Sequence, residues 1–168
     1  MNARRILSSA QGVEAAAILF ELNTEPAQLE RLGTESGLLT TPDTPAQREL
    51  FLRQWYGFVH AAVVAGLMVH APNIVVATYL HSTRYLLKAR QQNDDMCETF
   101  IDTVFSPYMD LLIRERQQEC PALFFRQVCG LERVEDAPPR ALAIISAAMA
   151  MTLGAIQDKL EHYDIQSE

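Results

Sequence analysis

The feature that most limits how this chain can fold is a stretch without formal charge between Arg53 and Arg84, much of it Val, Ala and Leu. A stretch this long and apolar is either a membrane span or the interior of a helical bundle. It is interrupted by His60, His70, Pro72, Asn73 and His81. Positive residues flank both of its ends, which gives a membrane helix no orientation. We therefore expect two buried helices separated near Pro72, and no association with a membrane.

The first of these helices is predicted over about residues 45–71, at the centre of the bundle. Thr44 fits the N-cap, Pro45 fits the first helical position, and Gln47 completes a capping box. Two adjacent faces of the predicted helix are apolar, so past its first turns it is apolar nearly all round. Such a helix has no side for solvent and belongs among other helices.

Helical periodicity and helix start and stop signals predict the remaining elements. They are helices over about 3–22, 74–91 and 94–112, short helices after Pro26 and over 122–128, and a last helix from Pro138 to about 163. We expect Gly33 to end the helix after Pro26, and Pro107 to kink the helix in which it lies. No segment alternates as a strand does. The prediction is an all-α, single-domain bundle of five to six helices: 1–43 give an N-terminal helix, a short helix and a loop, and 44–168 give the helical core.

The charge of the chain argues against nucleic acid as a partner. Twenty-one acidic residues against 14 basic ones give a formal net charge of -7. An acidic surface repels phosphate backbones and anionic lipid. We therefore expect no nucleic-acid binding.

The three cysteines favour a reducing compartment. Cys97, Cys120 and Cys129 form no CxxC pair, and any disulfide would leave one of them unpaired. We expect a cytoplasmic protein. Cys120 precedes Pro121 at a predicted helix start, where a thiolate is favoured, so it is the cysteine to examine for reactivity.

No metal, cofactor or catalytic residue is predicted, because HExxH, GxSxG, a glycine-rich phosphate loop and a dinucleotide fingerprint are all absent. Asp95, Glu98 and Asp102 share one helical face, which would suit a divalent cation or an acid and base pair. The alternative is a surface network of ion pairs with Arg84 and Lys88 on the preceding helix. We favour the ion pairs.

Two residues of the central helix are candidates for a ligand site. His60 and Tyr56 would be the polar contacts of an apolar pocket that holds a small molecule or haem. The alternative for a histidine in an apolar helix is a neutral imidazole that is hydrogen-bonded inside the core. The alternative is the more common outcome.

His81, Arg84 and Lys88 follow one another at helical spacing and form a compact positive stripe. The stripe suits an anion or an acidic partner. The alternative is charge that complements the negative end of the helix dipole.

The last helix combines a lack of charge with a ridge of small residues. No charged residue lies between Ala141 and Gln157, and Ser146, Ala150 and Gly154 are spaced four residues apart. Small ridges let helices approach closely, so this ridge would cross Ala62 and Gly66 on the central helix or pack against a second copy. Because the bundle has a surplus of apolar helix, we expect a homodimer with its interface at Ser146, Ala150 and Gly154.

These features leave three classes of function open. The first is a non-catalytic interaction, adaptor or regulatory protein, since a compact helical domain without motifs offers mainly its surface. The second is a bundle that binds or senses an apolar ligand. The third, which we favour least, is an enzyme without a recognisable motif.

Overall fold

The computed structural model describes residues 3–39 and 45–168, and it is 79% helical with seven helices, so the all-α prediction is confirmed. The helices are α1 (Ser9–Asn23), α2 (Pro26–Ser36), α3 (Pro45–His70), α4 (Asn73–His81), α5 (Thr83–Ala89), α6 (Asp94–Phe100), α7 (Ser106–Ile113), α8 (Cys120–Cys129) and α9 (Pro139–Glu161). Only Ser82 separates α4 from α5, and a π-helical segment, Ile101–Phe105, joins α6 to α7. Counted as continuous units these make seven helices rather than the five to six predicted.

The central position predicted for α3 is confirmed. Every residue from Gln54 to Val64 is buried, and α3 contacts α1, α4, α7, α8 and α9. Aromatic side chains fill the space around it: Phe58 packs edge-on against Tyr108, and Trp55 against Phe124. The predicted N-cap at Thr44 lies outside the described residues.

The N-terminal segment differs from the prediction of a helix over 3–22. Residues Arg5–Leu7 form a short strand, β1, and α1 begins only after it. Ser8 is the N-cap: its hydroxyl accepts from the Gln11 backbone N–H, and the Gln11 side chain accepts from the Ser8 backbone N–H. This capping box satisfies two of the free donors at the helix start, which fixes the helix boundary at Ser8.

A second short strand, β2 (Tyr163–Ile165), pairs with β1 in parallel, so the prediction of no strands was wrong at both termini. Arg5 N–H donates to the His162 carbonyl, and Gln166 N–H donates to the Leu7 carbonyl. Leu7 and Ile165 are buried, and Ile165 lies against Gly12, where an added Cβ would be 2.5 Å from its Cγ2. The two ends of the described chain therefore close onto α1.

Two residues were predicted to interrupt helices, Pro107 and Gly33. The segment before Pro107 widens into the π-helical turn, in which the Ser106 N–H and hydroxyl both reach the Ile101 carbonyl. This turn accommodates the ring and the missing N–H of proline within a continuous helix. Gly33 does not end α2: it is buried against Leu39, and α2 ends at Gly37, whose φ of 77° is the left-handed conformation of a C-cap.

Candidate protein-interaction surface

The helix α9 is packed on one side only. Its buried stripe consists of Ala141, Ile145, Met149, Leu153, Ile156 and Leu160, which lie against the rest of the bundle. The opposite side carries Ala143, Ala147, Ala150, Met151, Gly154 and Ala155, all of which are exposed. Met151 has 74% of its surface exposed. Between Arg140 and Asp158 this outer side holds no charged residue, and we call it the α9 outer face.

Two grooves border the α9 outer face. On one side, Phe58, Pro121, Met149 and Leu153 line a mainly apolar cavity of about 340 Å³, with Ser146 and Ala150 at its edge. On the other side, α2 and α1 contribute Leu29, Leu32 and Asn23 to a cavity of about 250 Å³ beside Met151. The predicted interface residues are thus spread over the helix: Gly154 lies on the outer face, while Ser146 is half-buried.

The α3 and α9 helices do cross, and the crossing uses Gly66 of the predicted α3 ridge but not the Gly154 end of the predicted α9 ridge. Leu160 and Ile156 of α9 pack against Gly66 of α3. A Cβ added at Gly66 would lie 2.5 Å from Leu160 Cδ1. Around Gly154 nothing would lie within 4 Å of an added Cβ. The prediction of an internal crossing at Ser146, Ala150 and Gly154 was therefore wrong, because the outer end of that ridge points away from α3.

His60 lies in the core, with 1% of its surface exposed. Its Nδ1 is 3.0 Å from the Tyr79 hydroxyl, and its Nε2 is 2.8 Å from the Thr83 hydroxyl. Thr83 donates its own proton to the Leu80 carbonyl at 2.6 Å, so it must accept from Nε2–H. Nδ1 then accepts from Tyr79, and this assigns the tautomer from the hydrogen bonds.

Burial has a large effect on this histidine. It lowers the pKa of His60 to about 3, because the charged imidazolium would lie among aromatic rings and away from water. The rings of Phe20, Tyr79, Phe100 and Phe105 surround it at centroid distances of 5.0 to 6.1 Å. His60 is therefore a neutral imidazole in the core with both ring nitrogens hydrogen-bonded, which agrees with the second of its two interpretations and not with a ligand contact.

Tyr56, the other predicted ligand contact, also lies in the core. Its side chain is 3% exposed, and burial raises the pKa of its phenol to about 12. Five surface cavities among the described residues range from 230 to 730 Å³, and neither Tyr56 nor His60 lines any of them. The two side chains therefore stabilise the interior around Phe20.

The positive stripe on α4 and α5 is exposed at His81, Arg84 and Lys88. Arg84 and Lys88 both pair with Asp94, at 2.9 and 3.1 Å. The side-chain hydrogen bond from Arg84 is the main cause that lowers the pKa of Asp94, and Lys88 adds to it. We expected these partners among Asp95, Glu98 and Asp102, and the structure instead uses the first residue of α6.

The cysteines show no sign of an activated thiol. Cys120 is fully buried, and burial, followed by the charge of Glu119, raises the pKa of its thiol to about 12. A thiolate at this helix start is therefore disfavoured, against the expectation from its position before Pro121. Cys97 is buried in the core, and Cys129 is exposed. Within residues 3–39 and 45–168, no group of three or more His, Cys, Asp or Glu residues is arranged to hold a metal.

One helix of the described chain, α9, is long and apolar enough by length and composition to cross a membrane. The uncharged stretch for which we weighed a membrane span is packed inside the bundle in α3 as far as Leu67. Beyond it Met68, Val69 and Ile74 are exposed, and α4 buries only Val75 and Tyr79, so α4 differs from the expectation of a second buried helix. Comparison of the chain with protein families, characterised proteins and solved structures gave no match.

Sequence reasoning missed most of the α9 outer face. The exposure of Ala143, Ala147, Met151 and Ala155 was not predicted, nor was the role of Arg140 and Asp158, the two charges that bound the face. A usable signal exists, since each charge has the sign that its own end of the helix disfavours.

Proposed function

We propose that this protein is a non-catalytic interaction protein that associates with itself through the α9 outer face. The observation that carries the proposal is an apolar face of about four helical turns, exposed on a helix whose other side is firmly packed. A contiguous exposed apolar face is disfavoured in water and commonly marks a protein contact. Closed two-fold assembly is the most frequent way in which such a face is covered.

The absence of catalytic function in this proposal is supported by the state of the buried titratable groups. His60 is held neutral with both nitrogens bonded, and the Cys120 thiol is protonated at any physiological pH. A general base or nucleophile needs a pKa near the working pH and access to substrate. Three unpaired cysteines support a reducing compartment such as the cytoplasm as part of the same proposal.

The proposal is tested by the mass of the purified chain in solution. We expect light scattering coupled to size exclusion to give about twice 18.9 kDa for the wild-type chain. Ala147→Glu places a charge at the middle of the α9 outer face and should give monomers with unchanged helical circular dichroism. Ala77→Glu, at an exposed alanine of α4, is the matched control and should stay dimeric.

A monomeric wild-type chain at micromolar concentration would reject self-association. Flotation with phosphatidylcholine vesicles identifies the competing occupant, a lipid surface, which the length of α9 also suits. A wild-type chain that is monomeric and floats, with Ala147→Glu remaining at the bottom of the gradient, would replace the proposal by membrane binding.

A second candidate function is binding of a small apolar molecule in the groove beneath Phe58. The observation that favours it is the 340 Å³ cavity, which falls within the usual size range of ligand pockets. Native mass spectrometry of gently purified protein should then show a bound species of low mass. Ser146→Phe would fill the mouth of the groove and remove that species, whereas a chain of bare polypeptide mass would reject this candidate.

A further inference from the structure

We infer that two copies of the chain pack their α9 outer faces against each other in antiparallel orientation, about a two-fold axis level with Met149. This inference rests on the self-association proposed above and specifies how the two copies meet. It is carried by the spacing, size and charge of the residues on that face.

The spacing is that of a coiled-coil seam. Six residues of α9 follow one another at intervals of four, three, four, three and four positions: Arg140, Ile144, Ala147, Met151, Gly154 and Asp158. Ile144 is half-buried at the edge of the α9 outer face, and the other five are exposed. On a helix of 3.6 residues per turn they lie within an arc of about 80° and over about 27 Å of length. Alternation of four and three keeps one line of side chains facing a neighbouring helix over that distance.

The sizes along this line are complementary to themselves when the helix is reversed. Ile144 and Gly154 lie equally far from the level of Met149, and so do Ala147 and Met151. Reversal therefore sets Ile144 opposite the partner's Gly154, and Met151 opposite the partner's Ala147. Each large side chain meets a small residue, which is the condition for close packing of two helices.

The charges at the two ends obey the same symmetry. Arg140 in the first turn and Asp158 in the last turn are also equally far from the level of Met149. Both are exposed, and neither forms an ion pair within 4 Å among the described residues. Antiparallel packing brings Arg140 beside the partner's Asp158 at both ends of the seam, whereas parallel packing would set like charges together.

The helix dipole gives the same orientation independently. A cation is disfavoured at the N-terminal end of a helix, and an anion at the C-terminal end. Arg140 and Asp158 each occupy the unfavourable end of their own α9. In the antiparallel pair each of them lies beside the favourable end of the partner's helix, so the sign of both charges is accounted for.

Gly154 supports the inference because the fold of a single chain does not need it. An added Cβ at Gly154 would have no atom within 4 Å, and glycine is a poor residue for the middle of a helix. Its lack of a side chain is explained by the partner's Ile144, which would occupy that space.

Disulfide trapping tests the orientation. In a Cys129→Ser background, which removes the exposed native thiol, Ile144→Cys and Gly154→Cys are prepared as two separate variants. We expect a disulfide-linked dimer when the two variants are mixed under mild oxidation, and little when either is alone. In the antiparallel pair the two copies of residue 144 lie about 15 Å apart along the seam, as do the two copies of residue 154, so neither variant alone can form the bridge.

Exchange of the end charges is the second arm. Arg140→Glu should weaken the dimer roughly tenfold at low salt, since it sets two acidic groups together at each end of the seam. Arg140→Glu combined with Asp158→Arg should restore the wild-type dissociation constant. Arg126→Glu, at an exposed position of α8, changes the net charge equally and should leave the dimer unaffected.

The outcomes separate this inference from the proposed function. Trapping by Ile144→Cys alone would show parallel packing and overturn the antiparallel seam. A wild-type dimer that gives no trapping and no response to charge exchange would place the interface elsewhere, and the proposed self-association would stand. A monomeric wild-type chain would overturn both the antiparallel seam and the proposed self-association.

Discussion

The helices α3 and α9 resemble each other in sequence and differ in how they are used. Each contains a long stretch without charge, from Gln54 to His70 in α3 and from Ala141 to Gln157 in α9. The first is buried on all sides over most of its length, and the second is buried along one stripe. Lack of charge therefore identifies a helix that avoids water, and it does not identify what covers the helix.

Their glycines show the same difference at atomic scale. An added Cβ at Gly57 in α3 would lie 2.4 Å from Val104 Cγ1 and 3.3 Å from the Val104 backbone. Gly154 in α9 has open space at the same position. In α3 a glycine is required by a neighbouring helix of the same chain, whereas in α9 none of the described residues requires it.

Truncation of one large side chain on each helix should give the largest contrast. Phe58 is 1% exposed between the rings of Trp55 and Tyr108, so Phe58→Ala should lower the free energy of unfolding by about 3–5 kcal/mol. Met151→Ala should change it by less than about 0.5 kcal/mol. Urea denaturation in the Ala147→Glu background keeps assembly out of the measurement. Equal losses for the two variants would mean that α9 is as enclosed as α3.

Replacement of a glycine by alanine should change the free energy of unfolding in opposite directions on the two helices. Gly57→Ala forces Val104 and its backbone to move, and we expect a loss of about 1–3 kcal/mol. Gly154→Ala fills open space and restricts the unfolded chain, so it should gain about 0.5–1 kcal/mol in the same background. If Gly154→Ala proved destabilising to the monomer, the outer face would have an intramolecular cover.

The imidazole of His60, buried within α3, should make the fold sensitive to acid. His60 stays neutral in the fold down to about pH 3, while in the unfolded chain it takes up a proton below its ordinary pKa of 6.5. The stabilisation that comes from keeping His60 neutral is therefore fully present above about pH 6.5, and the free energy of unfolding falls as the pH is lowered from there towards 3. When the pH is lowered from about 7.5 to about 5.5, the free energy of unfolding of the wild-type chain should fall by about 1.4 kcal/mol more than that of His60→Gln. His81→Gln, on the surface, should behave as wild type.

The exposed polar cluster should give the smallest effect. Arg84, Lys88 and Asp94 pair on the surface, where water screens the interaction. Asp94→Asn should leave the denaturation midpoint within the error of measurement, and any difference at low salt should vanish at about 0.5 M salt. A clear loss that persists in salt would show that the cluster is coupled to the core.

The sequence predicted α3 well because its signals agree with one another. Proline at the start, a break at Pro72 and apolar residues on two faces all indicate the same buried helix. The ends of the chain were predicted poorly. The apolar spacing of α1 extends into Arg5–Leu7, and three-residue strands have no periodicity to detect. The capping box at Ser8 and Gln11 was the available signal for that boundary.

The candidate surface could be located in the sequence only to the level of the helix. The α9 sequence is apolar on both sides, so its pattern does not indicate which side faces the bundle. The small residues Ser146 and Ala150 indicated one ridge of α9 as the interface. In the structure these two residues line a groove together with Phe58. His60 illustrates the converse, because its partners Tyr79 and Thr83 come from later helices and emerge only when the chain is folded.

The pairing of β1 with β2 has a consequence for the order in which the protein folds during synthesis. Arg5–Leu7 is synthesised before its partner Tyr163–Ile165, and nearly all of the rest of the described chain lies between them. Contacts between such distant segments form late, because a long loop must be closed before they contribute. Until β2 has been made, α1 lacks the contact of Ile165 with Gly12. The C-terminal end of α9 is fixed in position when the residues that follow it pair with β1. Completion of the fold around α1 and α9 therefore takes place only after translation has passed Ile165.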